Sequence, residues 1–328
     1  MLKDTKNIVL SGGGINGLCH VGALRAIQSL LDVPIFSHFH GFAGTSIGSL
    51  LCLGLVCSCT VHTIYKYFKQ FKSQLDCMIN SNDAIRSFYP IDTMIDLILP
   101  FHDISFAQLF FHSKKHLIIV ATNISTVQIQ YFDHIGTPNV QVKHAILASM
   151  AIPGLLPPVS IGNSLYVDGG IALNFPFCAF TKKNTIGLCL QNTNRGSFQK
   201  TDILENSLLF FKIIGLSFYY TQDMQLQKQY FPKYRHRIII IPAPIVIPFA
   251  TNVDSIFMQQ QGFMAAFLHF YRYKEFTQDY TLLNTLRHGL LLYYRPFLQQ
   301  QIYTVFVLII LFSSFTFVRI QNKKNNFL

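Results

Sequence analysis

The stretch Gly41-Phe-Ala-Gly-Thr-Ser-Ile-Gly-Ser-Leu50 constrains this chain more than any other. Gly44, Ser46 and Gly48 spell Gly-x-Ser-x-Gly, small apolar residues lead in, and Leu50-Leu-Cys-Leu-Gly-Leu-Val56 leads out. That layout predicts a strand, a sharp turn at the serine and a buried helix. The serine must then hold a strained backbone, and the flanking glycines let strand and helix approach. Its hydroxyl would lie at a helix N-terminus, where amide groups favour developing negative charge. Three fixed positions in five recur by chance, so the pentapeptide alone reads equally well as a glycine-tolerant loop.

The preceding segment repeats the pattern. Asn7 to Ser11 reads as a short buried strand, Gly12-Gly13-Gly14-Ile15-Asn16-Gly17 as a glycine turn, and Leu18 to Leu31 as a helix. A second strand spans His38 to Ala43, ahead of the Ser46 turn. Two consecutive strand–turn–helix units predict an α/β fold, with a central, mostly parallel sheet and helices on both faces. Further helices are expected at 60–71, 89–99, 105–111 and 142–150. Further strands are expected at 115–121, 127–132, 164–168, 185–191 and 237–241. Ile152-Pro-Gly-Leu-Leu-Pro-Pro158 reads as a rigid loop. The 164–168 strand ends in Asp168-Gly169-Gly170, which places a carboxylate where an apolar strand stops.

Only 12% of the 328 residues are charged, against about 25% in ordinary domains. Such a chain has a large core or lies against lipid. Lys and Arg outnumber Asp and Glu by 26 to 15. No internal basic tract or nucleic-acid motif accompanies that surplus, so an anionic membrane face is the expected partner rather than nucleic acid. The seven cysteines are odd in number and lack a Cys-x-x-Cys pair, which suggests reduced thiols and a reducing compartment. The N-terminus shows no apolar signal region. Near the other end, residues 302–318 carry no charge, and Arg319, Lys323 and Lys324 follow. This predicts a membrane-spanning C-terminal helix with a basic tail at 319–328 and a catalytic part on the cytoplasmic side. The apolar segment 207–220 reads as a core helix or an exposed cap near the substrate mouth.

The chemistry follows from three places. A serine hydroxyl needs a base within reach and N–H donors where an oxyanion forms. Ser46 is the candidate nucleophile. The glycine turn at Gly12, Gly13 and Gly14 supplies candidate donors. Asp168 is the candidate carboxylate, able to serve as base if burial raises its pKa. No cofactor and no metal site is expected: His112 and His116 have i, i+4 spacing but lysines rather than a glutamate between them. His20, one turn after the glycines, reads as a structural histidine. Gly12-x-Gly14-x-x-Gly17 also fits a dinucleotide-binding fingerprint. However, Asp32 precedes the second strand instead of ending it, which counts against that alternative.

Read together and in order, Ser11-Gly-Gly-Gly-Ile-Asn-Gly17, Gly44-Thr-Ser-Ile-Gly48 and Asp168-Gly-Gly170 resemble the patatin-like phospholipase family. Ala121-Thr-Asn123, Ala148-Ser-Met-Ala-Ile-Pro153 with Pro157-Pro158, and Asp168 through Asn174-Phe-Pro176 add to the likeness. It covers roughly residues 7–190, with 191–300 as the remainder of the α/β domain. The resemblance implies hydrolysis of phospholipid or acylglycerol esters by a Ser46–Asp168 dyad without histidine, with Gly12, Gly13 and Gly14 as the oxyanion loop. Gly17, Gly44, Gly48, Gly169 and Gly170 are implied as supporting motif positions. Asn16 stands where the family often has Arg or Lys, which bears on rate or substrate preference. A catalytically silent lipid-binding protein of the same fold remains the second reading.

Overall fold

In the computed structural model, residues 2–80, 88–99, 103–192, 222, 226–243 and 254–273 are described. The chain divides into units 1–276 and 277–328, and all described residues fall in the first. Eight strands form one sheet: β1 Asn7–Leu10, β2 Gly41–Thr45, β3 His116–Asn123, β4 Gln128–Phe132, β5 Val159–Ile161, β6 Ser164–Asp168, β7 Thr185–Asn192 and β8 Ile238–Ala243. The hydrogen-bonded order is β5-β6-β3-β2-β1-β7-β8, and β4 also pairs with β3. The longer helices are α1 Gly17–Ser29, α2 Ile47–Val56, α3 Val61–Asn80, α4 Tyr89–Ile98, α5 Phe106–Ser113, α6 Val142–Met150 and α7 Ser255–Arg272.

The strand sequences explain the layers. β1 and β2 are apolar without alternation, as strands covered on both faces require, and every residue of β2 is buried. Two apolar clusters flank the sheet. The larger contains Ile8, Leu10, Phe42 and Ile119, and the smaller contains Val9, Ala43, Ile118, Phe175 and Phe177. Residues adjacent in β1 thus enter opposite clusters, as period-two strand geometry dictates. α2 is apolar all round and accordingly lies wholly inside, with every residue buried. α1 packs on α7 so closely that Gly22 faces the Gln259 carbonyl and Gly262 faces that of Cys19, leaving no room for a Cβ.

Several expectations need revision. The sheet is mixed: β1–β2, β2–β3, β1–β7 and β7–β8 are parallel, whereas β3–β4, β3–β6 and β5–β6 are antiparallel. β5 was not anticipated; its three residues pair with β6 across the two-residue turn Gly162-Asn163. The second strand starts at Gly41 rather than His38, because Ile35–His38 forms a helical turn after Pro34. α7 was not anticipated; its Gln259-Gln-Gln261 run breaks the apolar period.

The transmembrane helix is corrected. Among the described residues no helix is long and apolar enough to cross a membrane. The two of sufficient length, α3 and α7, carry Lys66, Lys69 and Lys72 in one and the glutamine run in the other, which a bilayer core disfavours. The expected span 302–318 and the apolar segment 207–220 both lie outside the described residues, and the membrane tether is not carried forward.

Candidate active site

The register of β3 brings Ser46 and Asp168 together. β2 pairs with β3 up to Thr45 opposite Val120, and β6 takes over at Asp168 opposite Ala121. β4 overlaps both partners along β3, covering Ile119 to Asn123. A strand has two edges, so β4 occupies one and β2 and β6 share the other. β2 and β6 therefore meet end to end. The residue after β2 is Ser46 and the last residue of β6 is Asp168, so two positions 122 residues apart in sequence fall on neighbouring rungs.

Ser46 has φ 53° and ψ −127°, outside the regions an L-residue prefers. Holding it there costs about 1–3 kcal/mol, which neighbouring hydrogen bonds offset. The Ser46 N–H donates to Ser149 Oγ at 2.8 Å, and the Ser149 hydroxyl donates to the Val120 carbonyl at 2.6 Å. The Ser49 hydroxyl donates to the Ser46 carbonyl at 2.6 Å. Gly48 is required by close approach, because a Cβ there would lie 2.5 Å from the Leu10 carbonyl oxygen and 2.6 Å from that of Ser11.

Asp168 is fully buried. Its Oδ1 accepts from the Gly170 N–H at 2.7 Å, its N–H donates to the Ala151 carbonyl, and its carbonyl accepts from Thr122 Oγ1. Burial pushes the carboxyl from 3.8 up to about 7, while the Gly170 N–H and the Ser46 hydroxyl pull it down. The Ser46 hydroxyl thus lies near enough to the carboxyl to favour its charged form. Among the described residues Oδ2 nevertheless accepts no well-aligned hydrogen bond.

The glycine turn is fixed from all sides. Ser11 donates its N–H to Leu188, accepts the Leu190 N–H on Oγ at 2.9 Å, and accepts His20 Nε2 on its carbonyl at 2.9 Å. Burial lowers the His20 pKa to about 4, so the ring is neutral at pH 7 and structural. The Gly12 N–H donates to the Asn174 carbonyl at 3.0 Å. The Asn174 side chain donates to Gln222, which donates to the Leu190 carbonyl. One expected oxyanion donor, Gly12, is therefore already committed. The amides of Gly13 and Gly14 make no such bond among the described residues, and Gly14, at φ 54°, adopts the left-handed backbone that turns the loop toward Ser46. A cleft lined by Gly14, Ile15, Ser46, Ile47, Phe71, Met150 and Ile152 opens over the serine. Its walls beyond Gly14 and Ser46 are apolar.

Gly44 and Gly169 complete the close packing: Gly44 faces the Gly48 backbone, and Gly169 the Val120 carbonyl. Gly170 supplies the amide to Asp168, and Gly17 packs against Ile47 and Phe68. Asn16 is buried beside the turn. His112 and His116 lie on α5 and β3 respectively; His116 contacts Asp133 at 3.1 Å, far along the sheet from Ser46. No group of three His, Cys, Asp or Glu side chains among the described residues is arranged to hold a metal ion. Ser149 and Asn174 lie in stretches that carried the family likeness but had no role assigned, and Ser49 and Gln222 were not singled out. Ser149 left the clearest signal, a hydroxyl at a buried position of an apolar helix.

Together these features define an α/β protein with a buried serine at a strand-to-helix turn beside a buried carboxyl. The sequence pattern of the patatin-like phospholipases matches residues 8–181, and the chain belongs to that family, whose general activity is lipid hydrolysis. It is 29% identical over 210 residues to the uncharacterized protein R571 of Acanthamoeba polyphaga mimivirus, covering 58% of this chain and 67% of that one. It is 26% identical over 212 residues to the probable lipid hydrolase 463L of Invertebrate iridescent virus 6, covering 61% and 68%. Over 185 residues it is 26% identical to a cGAMP-activated phospholipase of Pseudomonas aeruginosa, spanning 52% of this chain and about half, 53%, of that protein. In fold it is similar to VipD from Legionella pneumophila, with TM-score 0.53 at 12% identity over 82% of this chain and 67% of that one.

Proposed function

We propose that the chain is a serine hydrolase that cleaves fatty-acyl esters of phospholipids or acylglycerols through Ser46 and Asp168, with residues 7–190 as its catalytic core. The observation that carries this reading is the shared edge of β3, which sets a strained serine beside a buried carboxyl with an unused oxygen. Ser46 Oγ attacks the ester carbonyl carbon, and its proton passes to Asp168 Oδ2. The carbonyl oxygen takes the electron pair and is held by the Gly13 and Gly14 amides. Collapse breaks the ester C–O bond, the leaving alcohol takes the proton from Asp168, and the acyl group stays on Ser46. Water then attacks, Asp168 accepts its proton, and the fatty acid departs as Oγ recovers a proton.

A carboxylate with a pKa near 7 suits this role, being mostly ionised at slightly alkaline pH yet basic enough to accept a proton. The apolar lining over Ser46 and the family's lipid-hydrolase activity support an acyl-ester substrate. The test is release of fatty acid from defined phospholipids and from a soluble short-chain ester. Ser46→Ala and Asp168→Asn should each lower kcat at least about 10³-fold, and unchanged turnover in either variant would overturn the assignment. Product analysis of the same reactions identifies the acyl position cut and the headgroup preferred.

A further inference from the structure

We propose that the paired turns β3–β4 and β5–β6 form a docking face for an electrically neutral lipid surface. This rests on the lipid-hydrolase reading and adds to it how the protein meets its substrate. The argument begins with charge. Residues 117–132 contain no Asp, Glu, Lys, Arg or His, and neither do residues 145–167. In a chain where about one residue in eight is charged, these two runs build β4, β5, β3 apart from His116, β6 apart from Asp168, and both connecting turns.

The topology then places the turns. Because Ser46 follows the rung Thr45–Val120, it lies level with Ala121 on β3. Ile124 is three residues further on, about 10 Å beyond the serine along the strand direction. β6 runs antiparallel to β3, so its first residues and the Gly162-Asn163 turn lie at that same end. Both turns therefore project past the catalytic serine, from the strand ends at which the substrate cleft opens.

Among uncharged polar side chains (Ser125, Thr126, Gln128 and Asn163), four apolar ones there are exposed. Val127 is 88% exposed, and Ile124, Ile129 and Leu165 are each 40–44% exposed. Thr122 pairs with Ile129 on one side and Val167 on the other, and residues two apart share a face. Ile124, Ile129 and Leu165 thus line one face of the sheet, with Val127 at its tip. Ile124 donates its N–H to the Leu165 carbonyl at 3.0 Å, which ties the two turns together. Val127 also has φ 55°, a conformation that β-branched residues rarely adopt. That backbone closes the 124–127 turn between β3 and β4, and the isopropyl group it carries stands out in water, where it can enter an apolar phase. The absence of charge selects the occupant: a zwitterionic headgroup layer above hydrocarbon imposes no need for lysines, and a buried charge would oppose insertion.

The experiment is co-sedimentation of the full-length Ser46→Ala protein with pure phosphatidylcholine vesicles, so that binding is read without turnover. Val127→Asp and Leu165→Asp, both at exposed positions, are compared in that background, with thermal unfolding midpoints to confirm folding. We expect Val127→Asp to lower the vesicle-bound fraction at least about tenfold at unchanged midpoint, Val127→Leu to retain binding, and added salt to leave wild-type binding intact. Unchanged binding in both Asp variants overturns the proposal. So does wild-type binding that requires anionic lipid and is released by salt, which would assign docking to basic side chains. A shift from dimer to monomer in Val127→Asp without loss of vesicle binding would assign the face to a second copy of this chain and equally overturn it. Wild-type protein that binds vesicles through Val127 yet hydrolyses no ester would instead count against the hydrolase reading alone.

Discussion

Replacing Asp168 by asparagine should abolish hydrolysis and at the same time stabilise the fold at alkaline pH. The folded carboxyl titrates near 7 instead of 3.8, with burial as the dominant cause. A group whose folded pKa lies above its unfolded one contributes fully below the unfolded pKa, and the contribution is lost as pH rises through the folded value. The interval from 3.8 to about 7 corresponds to about 4 kcal/mol that the ionised carboxylate costs the native state above pH 7. Asparagine removes that cost. Its Oδ1 can still accept from the Gly170 N–H, but its amide N–H groups enter a site with few acceptors, at a cost of about 1–3 kcal/mol. The net expectation is a gain of about 1–3 kcal/mol at pH 8.5 and none, or a loss, at pH 4.5. Urea unfolding of wild type and variant at the two pH values measures this. An equal difference at both pH values, or a larger loss at pH 8.5, would show that Asp168 is not held in a desolvated, high-pKa state and would refute the reasoning.

Three other outcomes follow from the same geometry. The kcat/KM for a soluble ester should rise about tenfold per pH unit up to about pH 7 and then level off, because Asp168 must be ionised to accept a proton; a rate flat from pH 5 to 8 would contradict this. Ser149→Ala leaves the Ser46 N–H and the Val120 carbonyl without their shared partner; a destabilisation of about 1–3 kcal/mol and a fall in kcat with little change in KM are expected, read by urea unfolding and steady-state kinetics. Gly48→Ala drives a methyl group onto two backbone carbonyls and should destabilise by more than about 3 kcal/mol or prevent folding, whereas Gly54→Ala, whose Cβ would meet only side-chain atoms, those of Ile64 from 3.1 Å and Ile98 Cδ1 at 4.0 Å, should remain foldable by the same assay.

Much of the site was legible because its requirements are local. A strand entering Gly-x-Ser-x-Gly and leaving as an apolar helix leaves few options, and Ser46 does adopt a positive φ at that junction. The candidate carboxylate was legible because so few acids end an apolar strand. What the residues did not announce was direction. β6 joins the same edge of β3 as β2 but runs the other way, and nothing in Ser164-Leu-Tyr-Val-Asp168 distinguishes parallel from antiparallel pairing. The commitment of the Gly12 amide to Asn174 was likewise invisible, since it joins positions 162 residues apart. β5 was missed because three residues between two prolines and a glycine carry no periodicity. The expected transmembrane helix was a reading of hydropathy and of the basic residues that follow. Val127 was read simply as the start of an alternating strand; its backbone angle and exposure depend on the turn it occupies.

The central claim is that Ser46 is an activated nucleophile, and the most direct test is labelling with a fluorophosphonate followed by peptide mass spectrometry. The account predicts a single adduct on Ser46, forming faster as pH rises through about 7 and much more slowly in Asp168→Asn. Ester hydrolysis that persists with Ser46 unlabelled, or an adduct on a different serine, would contradict it.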